Sequence, residues 1–175
     1  MTRTIRILAV VSFVVALAPS WEGRALAGSA TSNMAVSATV SNNCTISAGA
    51  LAFGAYDPVS ANASSNLNGT ATLTVTCTTG ASASITLDQG THANTGSTAT
   101  VPLRRLSDGA GTPHYLSYYL YSDSARSTVW GASTADVAYT GTGTSGTVTV
   151  YGAVTSGQNV PAGTFTDTVV ATISF

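Results

Sequence analysis

The sequence predicts an all-β protein, an antiparallel β-sandwich, on three observations. Helix-favouring residues are scarce: there is no Lys, and Glu22, Gln89 and Gln158 are the only Glu and Gln in 175 residues. Thr and Ser, 29 and 22 of them, suit the outward positions of a pleated sheet far better than a helix. Apolar and small polar residues alternate in short runs parted by Gly, Asn, Asp and Ser, the pattern of half-buried strands joined by tight loops. The length allows one domain of ordinary size.

The chain opens on an export address. Arg3 and Arg6 form a positive lead, Ile7 to Ala18 is an apolar run broken only by Ser12, and Ala25 and Ala27 place small residues where a signal peptidase reads. That apolar run of about 12 residues is too short for a membrane span of roughly 20. Residues 1–27 are therefore expected to be a signal peptide, and the rest to leave the cytoplasm.

Residues 28–41 follow, a polar lead giving way to Met34, Val36, Ala38 and Val40 at period two. They read as a strand on a flexible lead, ahead of a body spanning 42–175. In the body, Ala71, Leu73, Val75 and Cys77 alternate with Thr72, Thr74 and Thr76, just after Asn68-Gly69, which reads as a turn. Ala83, Ile85 and Leu87 repeat the pattern before Asp88 and Gly90. Leu116, Tyr118 and Leu120 share one face of a run whose other face carries Tyr115, Ser117, Tyr119 and Tyr121. Val148 and Val150 lead into Tyr151 and Gly152, and Val169, Ala171, Ile173 and Phe175 alternate to the last residue. Monomers normally blunt an apolar sheet edge with charge or Pro. A spare strand at one end and a bare edge at the other predict strand donation between chains.

Little here supports chemistry. After residue 27 three Arg stand against six Asp, which leaves no basic face for nucleic acid. Neither His92 nor His114 lies at ligand spacing from the two Cys, so no metal site is expected. Gly141, Gly143 and Gly146 match the spacing of a dinucleotide fingerprint, but Val148, Thr149 and Val150 continue as a strand where that motif must open a helix. No cofactor is expected. There is no nucleophile elbow, the two His read as solvated loop residues, and Asp57, Asp88 and Asp123 sit beside turn residues as Asx-turn formers do. The expectation is a protein with no catalytic residue. Tyr115, Tyr119 and Tyr121 form either a packed sheet face or a sugar-binding stripe. In an exported chain the pair Cys44 and Cys77 reads as a disulfide, contributing roughly 3 kcal/mol by restraining the unfolded chain.

A family likeness runs through these same residues. Cys44, Ile46 and Ser47, then Leu51, Phe53, Gly54, Tyr56, Asp57 and Pro58, resemble the opening of the spore coat protein U domain. That domain is shared with subunits of archaic, Csu-type chaperone–usher pili. The likeness continues in order through Val75 to Gly80, Ile85 to Gly90, Arg105-Leu106, Leu116 to Asp123, Arg126 and Trp130-Gly131. It closes with Val150 to Val154, Gly157 to Gly163 and Thr166 to Phe175.

The resemblance implies an incomplete immunoglobulin-like sandwich that lacks its final strand and is completed by a donated one. It implies a periplasmic pilus chaperone as first donor, and assembly at an outer-membrane usher. There the N-terminal extension of a neighbouring pilin subunit replaces the chaperone, giving a surface fibre for adhesion or biofilm. Carried onto this chain, Met34, Val36, Ala38 and Val40 are the donor residues, and Val169, Ala171, Ile173 and Phe175 line the acceptor groove that the chaperone contacts first. Cys44–Cys77 matches the family disulfide. A spore coat or surface coat built from the same domain is the nearest alternative; a self-sufficient secreted glycan-binding sandwich is another.

Overall fold

Eight strands form, five of them over runs where the sequence alternates, in a computed structural model that describes residues 27–175; the alternating run at 34–40 forms none. The expected signal peptide lies outside the described residues but for Ala27. In chain order the strands are β1 (Cys44–Ala48), β2 (Leu67–Cys77), β3 (Ser82–Leu87), β4 (Arg104–Ser107), β5 (Tyr115–Tyr121), β6 (Val137–Thr140), β7 (Ser145–Val154) and β8 (Ala171–Ser174). One short 3-10 turn, Ser133–Ala135, is the only helical element among the described residues.

Two antiparallel sheets result, one of five strands in the order β1-β2-β7-β5-β4 and one of three in the order β6-β3-β8. Period two decides which side of each strand meets the other sheet. Leu73 and Val75 of β2, Ile85 and Leu87 of β3, Leu116, Tyr118 and Leu120 of β5, and Val150 and Val154 of β7 are buried together. Thr residues between them face outward. Trp130, from the loop after β5, is fully buried and donates its indole N–H to the Ile85 carbonyl at 2.9 Å, which satisfies its one polar atom inside the core.

Cys44 and Cys77 stand directly opposite one another in the β1–β2 ladder and are disulfide-bonded, as expected. One compact unit runs from Thr39 to Phe175. One expectation gives way: Asn68-Gly69 is not a turn but lies inside β2, whose long ladder with β7 begins at Leu67. Gly69 faces Gly152 across that ladder. A Cβ on Gly152 would meet the Phe53 ring at 2.8 Å, and one on Gly69 would meet it at 3.1 Å. The two glycines are there to admit an aromatic ring onto the sheet. Gly141 and Gly143 lie between β6 and β7, with Gly143 at φ +78; a strand follows them, as the sequence predicts.

Candidate functional site

The sheet order leaves β1 and β8 each paired on one side only: β1 with β2, and β8 with β3. The two edge strands approach one another across the gap between the sheets, and no ladder joins them. Where they diverge, a cavity of about 270 Å³ opens the core to solvent. Its floor is core: Leu73, Leu87, Leu120 and Val150. Its rims are Gly49, Ala50 and Leu51 after β1, and Val169 and Ala171 at the start of β8. A larger cleft of about 710 Å³ continues from it over Tyr56, Val160 and Phe165, sharing Leu51, Phe53, Leu106 and Asp167. Together they form an elongated, mainly apolar groove.

The four expected groove residues divide. Val169, Ala171 and Ile173 turn inward at period two and pack on the core. Only the first two line the cavity, while Ile173 sits opposite Ile85 in the β3–β8 ladder. Phe175 lies past the end of β8, 55% exposed and away from both cavities, because the ladder that would hold it inward stops at Ser174. The four expected donor residues are in a stretch without secondary structure. Met34, Val36 and Val40 are each more than 80% exposed.

A polar network that the sequence did not announce fixes the β8 rim. The Asp167 side chain is 1% exposed and accepts hydrogen bonds from the Thr91 N–H at 2.9 Å, the Thr91 hydroxyl at 2.6 Å and the Tyr118 hydroxyl at 2.7 Å. His92 Nδ1 lies 3.1 Å from the same carboxylate, which ties this loop residue to the rim while its side chain stays 36% exposed. Gly90, at φ +74, leaves room for that carboxylate where a Cβ would collide. Asp88 accepts from Val170 N–H at 3.0 Å and donates its own N–H to the Val170 carbonyl at 3.0 Å, extending the rim beyond β8. Behind it, Arg104 is buried and donates to the carbonyls of Asp88, Leu87 and Trp130 at 2.8, 3.1 and 2.9 Å.

Burial shifts these groups. It drives the Tyr118 hydroxyl pKa far above the ordinary phenol value, reinforced by its bond to Asp167, so Tyr118 stays a donor. Desolvation lowers Arg104, opposed by Tyr118, Asp88 and Asp167. The one hint in the sequence was an Arg pair, Arg104-Arg105, in a chain with only one other Arg beyond residue 27. By contrast Asp57 and Asp123 behave as turn formers. Asp57 accepts from Val59 and Ser60 N–H, and Asp123 from Ser127 and Thr128 N–H. His114 pairs with Asp108 at 2.8 Å on the surface. Among the described residues no group of three or more His, Cys, Asp or Glu is placed to hold a metal ion.

Comparison with known proteins agrees with this architecture. Residues 30–172 match the family described as the Spore Coat Protein U domain. Protein U of Myxococcus xanthus is 44% identical over 156 residues, which cover 85% of this chain and 87% of that protein. Among solved structures, the chaperone–tip adhesion subunit pre-assembly complex (CsuC-CsuE) of the archaic chaperone–usher Csu pili of Acinetobacter baumannii matches with a TM-score of 0.56 at 18% identity. That match covers 78% of this chain but 40% of the other, so this chain spans under half its length and the likeness is one of fold. The minor tip subunit HdaB of the E. coli Hda pilus matches at 14% identity and a TM-score of 0.35, over 75% of this chain and 79% of that one.

Proposed function

The chain belongs to the spore coat protein U domain family, and on that premise we propose that it is an exported structural subunit of a cell-surface fibre, a pilus of the archaic chaperone–usher kind. Subunits join by strand donation: residues 28–41 of one chain add to the open groove between β1 and β8 of the next. The observation that carries this reading is the coincidence of an apolar groove with free strand edges and an exposed segment bearing Met34, Val36, Ala38 and Val40 at period two in the sequence. Strand addition uses both halves of that coincidence. Main-chain hydrogen bonds satisfy the edges, and alternate side chains enter the groove. Val169 and Ala171 form one wall; Ile173 supports it from behind.

Head-to-tail contacts of this kind build open filaments whenever the rotation from one subunit to the next does not close a ring. A subunit with an unfilled groove also needs a temporary partner, which supports a periplasmic chaperone as first donor and an outer-membrane usher as the place of exchange. Adhesion and biofilm formation are the roles such a fibre serves. The chemistry of the site is association alone, with no cofactor or catalytic step. The 44% identity to Protein U of Myxococcus xanthus favours a second reading, a coat built from the same joined subunits. Both readings are tested by electrophoresis of unheated assembled material in SDS. A ladder rising in whole-chain steps, lost when residues 28–41 are deleted, is expected. A single monomer band from the intact chain would overturn the assembly reading.

A further inference from the structure

The outer face of the larger sheet carries a second depression, unrelated to the groove. Tyr121 of β5 stands beside Tyr151 of β7 in the ladder, and Tyr119 beside Ala153. Asn68 and Thr70 of β2 face Ala153 and Tyr151 from the other side. A cleft of about 530 Å³ opens here, with Ala153 as its floor and Ser64, Ser65, Asn66, Asn68, Tyr121 and Arg126 around it. The cleft is shallow and open to solvent, with a mainly polar lining.

The walls are held rigidly. Asn62 is buried and ties its own loop, accepting from Asp57 N–H at 2.9 Å and donating to the Ser65 carbonyl at 3.0 Å. Asn66 accepts from Ser156 N–H at 3.0 Å, which leaves its amide N–H₂ for the cleft. Opposite, the Asp123 carboxylate gathers the N–H groups of Ser127 and Thr128 and shapes the loop that presents Arg126. Arg126 adopts φ +54, a conformation costly for a residue other than Gly. Its guanidinium lies 5.8 Å from the Tyr151 ring and donates to the Gly152 carbonyl at 3.1 Å. The Asn68 amide and the hydroxyls of Ser64, Ser65 and Tyr121 make no side-chain hydrogen bond among the described residues, which leaves them to water or to a ligand in the cleft.

We propose that this cleft binds carbohydrate, one pyranose unit of a glycan chain. A sugar ring offers an apolar C–H face for a Tyr ring and a rim of hydroxyls that both donate and accept. The cleft matches with amide, hydroxyl and guanidinium groups. Its lining holds no carboxylate and one cation, too little positive charge for a polyanion and too polar a surface for an apolar side chain. The site lies on the sheet face and the groove at the sheet edge, so this inference stands or falls separately from strand donation. In an assembly, repeated copies would add avidity to a weak single site.

Saturation-transfer NMR on the purified exported chain, with maltotetraose, mannotetraose and chitotetraose as probes, tests it. Saturable transfer to at least one tetrasaccharide is expected. Binding should fall about fivefold, the loss of roughly one hydrogen bond, in Asn68→Ala, and further in Tyr121→Ala. Asn68 is exposed, so that variant keeps the fold even if Tyr121→Ala does not. Transfer to none of the three, or equal transfer in Asn68→Ala and the natural chain, overturns the proposal.

Discussion

A chain cut to residues 42–175 is expected to melt low, and a synthetic peptide of residues 30–41 to raise its melting temperature. Met34, Val36 and Val40 are 85%, 84% and 82% exposed, so almost all of their surface is available for burial. At about 1.5–3 kcal/mol for each large apolar side chain, docking these three with Ala38 gains roughly 5–8 kcal/mol before the cost of association. That is comparable to the whole stability of an ordinary domain, about 5–15 kcal/mol, and explains why the empty groove would be marginal. Peptide at a hundred times its dissociation constant stabilises by about 2.7 kcal/mol. For a body of this size each kcal/mol moves the melting point by about 2–5 °C, giving a rise of about 5–14 °C. The assay is a circular-dichroism melt with the disulfide intact, run with the natural peptide and with one carrying Val36→Asp. The second peptide should be inert, since a carboxylate does not enter an apolar groove unpaired. A body that melts high by itself and ignores millimolar peptide would refute the reasoning, because the sandwich would then be complete.

Replacing Gly152 by Ala drives a Cβ into the Phe53 ring and Leu51, at 2.8 and 2.9 Å. A loss of about 1–3 kcal/mol is expected, read from the urea midpoint. Removing the bridge with Cys44→Ser and Cys77→Ser frees a loop of sequence separation 33 and should cost about 3–4 kcal/mol; equal midpoints for oxidised and substituted protein would contradict it. The raised Tyr118 pKa sets an alkaline limit. Unfolded chains lose the phenol proton near pH 10 while the folded one keeps it, so stability is full below about pH 10 and declines above it. Tyr118→Phe should flatten that decline, measured by denaturant titration at pH 8 to 11.

Much of the architecture was readable in one dimension, because it rests on period two and on chain chemistry. The alternations at 71–77, 83–87, 116–120 and 148–150 each became a strand with the expected inner face. Cys44 and Cys77 were the only two cysteines, so the pairing needed no geometry. The turn-forming roles of Asp57 and Asp123 followed from their neighbours. The groove was legible only in part. Val169 and Ala171 line the cavity, Ile173 packs on the core behind them, and Phe175 lies outside it.

What remained hidden depends on residues far apart in sequence meeting in space. Asn68-Gly69 reads locally as a turn and becomes strand because Gly152, 83 positions on in the numbering, faces it and Phe53 fills the room both leave. Asp167 looks like one more acid in a Thr-rich loop, yet it is sealed by Thr91 and Tyr118. The Tyr, Asn and Arg residues of the outer cleft come from β2, β5, β7 and two loops. The open edge itself is a property of strand order, β1 and β8 ending opposite sheets. Alternation specifies the face a side chain takes; only the non-local ladders decide which strands are neighbours, and therefore which edges are left free.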